Sequence, residues 1–371
     1  RKPTRSRLLI CFMKLPKIPV PTPSKGIHVQ PGRSLNSPLL YAKPWLAALQ
    51  PLLRQRGINT DELLRDLPPY YDGIKTADYR ISHCQLQQLL GQVECQVNEP
   101  QIWQLIAETF CRSALNPLVD LSLQAASLAD ALRYSYRYRD LVIPNVILLP
   151  QQRPKELVVD IIPFSGSRNK MTTAARCASI KLTIALFVSI AKLRGDDLHH
   201  WCLHLPPDIT PLPVWRKWQV QTHVREITRL VIPRQQLIQC RTVKPGQLKQ
   251  ARYFCQIQRQ SLATPTQLER IFRYLLLRLN RSEDVSLSEL SEVMGLSVSS
   301  CKRLFASFGQ SYQIFYDQVR LYKLLDLLQQ PGGTNRELAQ KLGYSNPNNF
   351  RRACKRWLGL APDELRQRLL G

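Results

Sequence analysis

Residues 285–369 read VSLSELSEVMGLSVSSCKRLFASFGQSYQIFYDQVRLYKLLDLLQQPGGTNRELAQKLGYSNPNNFRRACKRWLGLAPDELRQRL. One short pattern occurs there twice. The first copy is Leu290-Ser-Glu-Val-Met-Gly295-Leu-Ser297, followed by Lys302-Arg303; the second is Leu338-Ala-Gln-Lys-Leu-Gly343-Tyr-Ser345, followed by Phe350-Arg-Arg352. In each copy a short amphipathic helix stops at a glycine and a polar, basic helix begins just beyond it. Ser286 with Glu289, and Thr334 with Glu337, have the spacing of a capping box, so a helix starts at each. Leu287, Leu290 and Met294 share one helical face, as do Leu338 and Leu342. Gly295 and Gly343 supply the positive φ that ends a helix and turns the chain. Ser297 and Ser345 are placed to cap the helices that follow.

Those second helices would expose Ser299, Ser300, Lys302 and Arg303 in the first copy, and Asn348, Asn349, Arg351, Arg352 and Lys355 in the second. Arg, Lys and Asn reach guanine, phosphate and adenine in a major groove, and a helix-turn-helix places its second helix there. One helix-glycine-helix corner also fits ordinary packing; two copies with matched basic second helices argue for a DNA-reading pair. Between them, across Ser311–Gln330, Tyr312, Phe315, Tyr316, Val319, Tyr322 (or Leu321), Leu325 and Leu328 keep a helical period. That helix would hold the motifs at a fixed separation until Pro331-Gly332-Gly333 breaks it.

Over roughly Pro265 to Leu370 the chain resembles the DNA-binding domain of the AraC family of bacterial transcription regulators. The most specific part is Gly343-Tyr-Ser345, Phe350-Arg-Arg-Ala353, Lys355-Arg-Trp357-Leu-Gly359 and Ala361-Pro362, ending in Leu365-Arg366. The resemblance implies that Arg303 and Arg352 contact DNA, with Ser299, Lys302, Asn348 and Asn349 beside them. Cys301 and Cys354 stand where the family usually has larger apolar residues. The first motif is serine-rich, which leaves its base contacts the less defined half.

The rest of the chain sets limits. Its 371 residues suggest two domains, or one large domain with extra segments, and a 44% apolar fraction is enough for real cores. A formal charge of +25 favours a polyanionic partner, although a solvated basic surface has the same composition. Ten cysteines form no Cys-x-x-Cys pair and read as reduced thiols filling core space in a cytoplasmic protein; a redox sensor is the alternative. Residues 1–37 are basic, proline-rich and free of acidic residues, which reads as a disordered tail or as a non-specific phosphate-binding arm. The apolar run Leu8–Met13 is too short to span a bilayer, and no membrane role is expected.

Residues 38–238 read as an α/β (α+β) domain. Pro44-Trp45 opens a helix carrying Leu46, Leu49, Leu52 and Leu53 that ends at Gly57. Asn59 with Glu62, Ser82 with Gln85, and Ser127 with Asp130 start further helices, and Ile102–Phe110 forms another. Asn145–Leu149, Glu156–Ile162, His200–Leu205 and Glu226–Ile232 read as strands. Met171–Leu193 is a long apolar helix interrupted by Arg176 and Lys181, better suited to a core or interface than to a bilayer. Residues 239–264 read as a glutamine-rich, partly helical linker. In the final domain, 265–371, Leu268, Ile271, Phe272, Leu275 and Leu279 form a clean core stripe, with Arg270, Arg273 and Arg278 off it. The fold class is therefore mixed: an α/β sensor-like domain followed by an all-α domain with two helix-turn-helix motifs.

The α/β domain more faintly resembles the effector-sensing domain of some AraC-family regulators, at Ser127-Leu-Ala-Asp-Ala-Leu-Arg133 with Tyr138 and at His204-Leu-Pro206-Pro207. That implies an unidentified small-molecule effector or a homodimer interface; no effector-binding residue can be carried over. Overall the resemblance implies a regulator, an activator, acting on promoter or operator duplex DNA with RNA polymerase as a possible partner.

Catalytic residues are not visible: there is no P-loop, no Gly-x-Gly-x-x-Gly and no Gly-x-Ser-x-Gly. His200, Cys202 and His204 alternate, so on a strand they would share a face, as zinc ligands or as a plain strand edge. Tyr134, Tyr136 and Tyr138 interleave with Arg133, Arg137 and Arg139, as core and rim on a helix or as a stacking platform. No metal and no cofactor are expected. A DNA-processing enzyme, recombinase or repair type, using the helix-turn-helix part for targeting is the alternative to a non-enzymatic regulator.

Overall fold

The computed structural model describes residues 40–63, 80–97, 99–113, 116–142, 146–163, 173–261, 266–308, 310–328 and 333–370; the readings of the tail at 1–37 and of Pro331-Gly332 lie outside them. The chain divides into two compact units, one containing 40–224 with 228–264, the other containing 265–371.

The first unit begins with β1 (Leu40–Tyr41), α1 (Lys43–Arg54) and α2 (Thr60–Leu63), then β2 (Arg80–Ile81), α3 (His83–Gln96), α4 (Ile102–Arg112), α5 (Pro117–Leu123) and α6 (Leu128–Arg137). Local chemistry sets several of these starts. Ser82 and Gln85 close a full capping box on α3. Asn116, followed by Pro117, caps α5, a helix that hydrophobic period alone did not reveal. Ser127 accepts the Asp130 N–H at the start of α6.

Next come β3 (Val146–Gln152), β4 (Glu156–Pro163), α7 (Thr173–Arg194), β5 (Cys202–Leu205), α8 (Pro213–Lys217), β6 (Gln221–Val224), β7 (Arg229–Pro233), α9 (Arg234–Leu237) and α10 (Pro245–Ser261). The five longer strands form one sheet in the order β3-β4-β7-β5-β6, antiparallel except where β5 runs parallel to β6. Asp160 on β4 faces Arg229 on β7, and their buried side chains pair at 2.5 Å. Losing either partner would strand the other charge in the interior.

Helix α7 is long and apolar enough to cross a membrane, but 78% of its apolar window is buried inside the protein, where it packs on α3 and α4. It is the core helix of the unit. Its two interrupting cations are paired: Lys181 with Glu94 at 2.5 Å, and Arg176 with Asp208. Glu94 also accepts the indole N–H of Trp103 at 2.5 Å, so this carboxylate joins three elements at the core's edge.

Three expectations change here. The third strand starts at Cys202, because His200 takes a left-handed φ of 71° and turns the chain before it. The last strand starts at Arg229, and the exposed edge strand β6, whose alternation is too short and polar to read, was not anticipated. Most of the glutamine-rich segment at 239–264 is α10, a helix packed on α5. Leu248, Ala251 and Cys255, spaced for one face among the glutamines, turn inward there.

The second unit is all helical: α11 (Thr266–Asn280), α12 (Leu287–Val293), α13 (Val298–Ser307), α14 (Tyr312–Leu328), α15 (Asn335–Lys341), α16 (Pro347–Leu358) and α17 (Pro362–Leu370). The stripe of α11 is buried as its period predicts: Leu268, Ile271, Phe272, Leu275 and Leu279 are all in the core. Phe272 meets Phe315 and Tyr322 of α14, and Phe305 of α13 meets Tyr312 and Phe315. At its other end α14 contributes Leu324 and Leu328 to a separate core with Leu338, Leu342, Phe350, Cys354 and Leu365. Helix α14 thus belongs to both halves of the unit.

Candidate nucleic-acid interface

Each motif is built as its sequence dictates. Ser286 and Thr334 close complete capping boxes with Glu289 and Glu337 on α12 and α15. The Glu289 carboxyl is held below the usual carboxylate range, first by the Ser286 backbone N–H and then by its side chain. Gly295 and Gly343 take φ of 64° and 75° at the turns. Ser297 caps α13, accepting the N–H of Ser300 at 3.2 Å.

The second turn departs from expectation. Asn346, not Ser345, caps α16, with its Oδ1 2.8 Å from the N–H of Asn348. Pro347 at the first helical position forces the residue before it out of the helical region, and Asn346 lies at φ −119°, ψ 120°. The second turn is one residue longer than the first.

Both second helices present their polar faces outward. Ser299, Lys302 and Arg303 on α13 are exposed and Ser300 is half-buried; Asn348, Asn349, Arg351, Arg352 and Lys355 on α16 are all exposed. Their opposite faces are anchored by Cys301 and Phe305 in one and by Phe350, Ala353 and Cys354 in the other. Burial pushes the Cys354 thiol up to about 12, so it is an inert core group.

The two outward faces differ in how free they are. On α13, Ser297 donates to the Ser300 hydroxyl at 3.0 Å and Arg303 donates to it at 3.2 Å, forming a short local chain. On α16, Arg351, Arg352 and Lys355 make no ion pair within the described residues, and the helix holds no acidic residue. Uncompensated, solvent-facing cations beside two asparagines suit a polyanion with base edges behind it. Arg356 is different: it reaches back to Asp317 of α14 at 2.7 Å and belongs to the scaffold. On α11, Arg273 and Arg278 pair with Glu269 and Glu283, leaving Arg270 as the exposed cation of that set.

Sequence reasoning passed over Arg320. It lies among the buried residues of α14 with its side chain 7% exposed. Its Nη2 is 2.7 Å from Asp284, just before the first motif, and its Nε donates to the Leu342 carbonyl at 3.1 Å, at the turn of the second. Its guanidinium lies 4.2 Å from the ring of Tyr316 and 4.5 Å from that of Tyr344. A lone arginine beside Val319 on a core-facing stripe was the available signal.

In the first unit the other candidates stay structural. His200 leaves the strand, so His200, Cys202 and His204 do not line up as ligands. Among the described residues no cluster of three potential ligands could hold a metal. Tyr136, Tyr138 and Arg139 are all buried, with Arg139 over the Tyr136 ring and Arg137 over the Tyr138 ring, so these rings pack inward rather than form an open stacking platform.

Two helix-turn-helix motifs on one scaffold helix, both with exposed polar second helices, define a helix-turn-helix transcription regulator rather than an enzyme. Comparison with known proteins agrees: residues 290–368 match a helix-turn-helix domain family. The Ornithine utilization regulator of Pseudomonas aeruginosa is 24% identical over 341 residues, 89% of this chain and 96% of that protein. An uncharacterized HTH-type transcriptional regulator of Mycobacterium tuberculosis is 34% identical over 67 residues, 18% of this chain and 20% of that protein. The crystal structure of the transcriptional regulator CdpR from Pseudomonas aeruginosa aligns over 86% of this chain and 96% of that one, at 16% identity and a TM-score of 0.41, too loose a likeness to argue from. The matched region lies within the stretch whose motifs resemble the AraC-family DNA-binding domain.

Proposed function

We propose that the chain reads a specific promoter or operator sequence in duplex DNA through α13 and α16, placed in successive major-groove segments on one face of the duplex. The observation that carries this is the set of unpaired cations and asparagines on α16, displayed on a helix whose opposite side is locked into a core. Arg352, Asn348 and Asn349 choose bases; Lys302, Arg303, Arg351 and Lys355 supply affinity for phosphate, with Ser299 and Ser300 as short hydrogen-bonding groups beside them. Helix α14 has 17 residues and is about 25 Å long, whereas successive groove segments recur roughly every 34 Å, so the duplex bends toward the protein or the helices enter at a tilt.

The first unit, in this reading, senses a small molecule or joins two copies of the chain, and the regulator acts in the cytoplasm as an activator with RNA polymerase as its partner. Support for the sensing role comes from the alignment with the Ornithine utilization regulator, which extends well into the first unit and whose name joins regulation to the utilization of ornithine. A small cavity of about 20 Å³ in that unit, lined by Leu118, Val119, Ser135, Arg139 and Phe187, has room for little more than one water, so an effector would have to open it.

Selection of bound duplexes from a random-sequence pool, followed by gel-shift titration, tests the reading. It stands if the full-length chain enriches a motif and binds it at least a thousandfold, on the order of specific regulators, more tightly than random duplex. A ratio near one replaces it with a non-specific DNA coat. Mapping bound sites in cells with and without the gene, alongside transcript levels, decides activation: transcripts beside bound sites fall on deletion if the chain activates.

A further inference from the structure

Two helix-turn-helix motifs read one composite site only if their separation is fixed. A rigid tether makes the second binding event intramolecular, and a loose one spreads it over many geometries. The described residues show where the tether is fastened. Asp284 precedes the first motif and Leu342 ends the first helix of the second, 58 positions apart in sequence, yet one side chain from α14 holds both: Arg320. Its planar group also lies near the rings of Tyr316, on its own helix, and of Tyr344, in the turn of the second motif. The two segments meet directly as well. A Cβ placed on Gly343 would come within 3.3 Å of the Asp284 side chain and 3.4 Å of its backbone, so the turn glycine of the second motif seats against the lead-in to the first. Tyr316 adds a hydroxyl that accepts the Val285 N–H at 3.2 Å, and the Tyr312 hydroxyl donates to the Val285 carbonyl. Every polar contact of this cluster falls on the lead-in to one motif, the turn of the other, or the helix between them.

We infer that Arg320 is the positioning residue that sets the register between the two DNA-reading helices and thereby the one half-site spacing the chain accepts. It faces protein and touches no base. Its fork, fixed at Asp284 and at the Leu342 carbonyl with a tyrosine on each motif's side, allows little sliding of one motif past the other; a lysine would keep the charge near Asp284 but lose the planar, two-directional grip. The inference rests on the DNA-reading function proposed above and adds to it the residue that decides geometry rather than base choice.

Sequence selection with full-length wild type and full-length Arg320→Met separates the two ideas. Wild type should enrich two sequence blocks at a single spacing. Arg320→Met should enrich the same blocks over a spread of spacings, bind the two-block duplex roughly ten- to a hundredfold more weakly, and bind duplexes carrying either block alone as wild type does. Arg320→Lys should fall between. A folded Arg320→Met that keeps the wild-type spacing, or that loses each single block as much as the pair, overturns the inference. Failure of wild type to enrich any motif overturns the DNA-reading function instead. If Arg320→Met does not fold by circular dichroism, Asp284→Ala, whose carboxylate is 57% exposed in wild type, takes its place; an unchanged spacing there likewise overturns the inference.

Discussion

Aligned from their caps, Ser297 and Asn346, the two second helices match position for position. Cys301 falls on Phe350, Phe305 on Cys354, Arg303 on Arg352, and Ser299 and Ser300 on Asn348 and Asn349. Inside, each motif spends one aromatic ring and one thiol, in opposite order, so the same kind of core is filled from two directions. Outside, they diverge: Ser300 is tied to the cap Ser297 and to Arg303 in the first, whereas Arg351, Arg352 and Lys355 in the second make no ion pair among the described residues and stand beside two exposed asparagines. A packing constraint holds the inner faces alike while the outer faces are free to specialise, and in the proposed reading the second motif is the one that chooses bases.

The largest expected effects come from the inner faces. Phe305 and Phe350 are 0% and 1% exposed, so replacing either with alanine should cost about 3–5 kcal/mol of stability, seen in denaturant unfolding followed by circular dichroism. If the cap-based alignment is right, the two losses should be similar. A loss near zero for one of them would mean its core relaxes and the motifs are not equivalent inside.

Next comes the outer contrast. Arg352→Ala should cost roughly 1–3 kcal/mol on the selected site and relax base preference at one position. Arg303→Ala should weaken binding more evenly across sequences and lower the salt slope by about one, as the loss of a phosphate contact does. Competition gel shifts across single-base variants and across salt would show it. Equal loss of base preference from both variants would erase the division of labour; unchanged binding by Arg352→Ala would remove it from the reading site.

A smaller effect tests the turns. Asn346→Ala removes the cap imposed by Pro347 and should lower stability by about 1 kcal/mol, whereas Ser345→Ala should be nearly silent. Thermal melts of the two variants would distinguish them, and the reverse ranking would return the cap to Ser345.

How far the sequence could lead depended on whether a feature is local. Capping boxes, turn glycines and the exposed residues of α13 and α16 are set by neighbours within four positions, so Ser286, Thr334, Gly295 and Gly343 could be read directly. The stripe of α11 was equally clear because a helix writes its buried face into its period. The second cap falls on Asn346, one residue beyond the expected Ser345, because Pro347 bars the residue before it from the helical region. Arg320 could not be placed at all from sequence: its partners Asp284 and Leu342 lie 36 and 22 positions away, and only folding brings them together. In the first unit, β6 and the inward face of α10 were hidden for a related reason, as a four-residue polar edge and a three-residue stripe among glutamines carry too few apolar positions to show a period.

The smallest effect concerns the charge within the first box. The fold holds the Glu289 carboxyl below its ordinary range, mainly through the Ser286 N–H, so it favours the ionised form. A lowered value in the folded state contributes stability above the ordinary carboxylate range and loses it as the pH falls through the lowered value. The group is largely exposed, so water screens most of the gain. Glu289→Gln tests it well, since a glutamine can still accept the N-cap N–H, as Gln85 does at the start of α3, but without charge. The variant should melt slightly below wild type at neutral pH, and the gap should close as the pH is lowered beneath the ordinary carboxylate range. A gap that stayed constant with pH would mean that the box on α12 works as a neutral hydrogen bond, like the one on α3, and that the acidic residue there adds nothing a glutamine lacks.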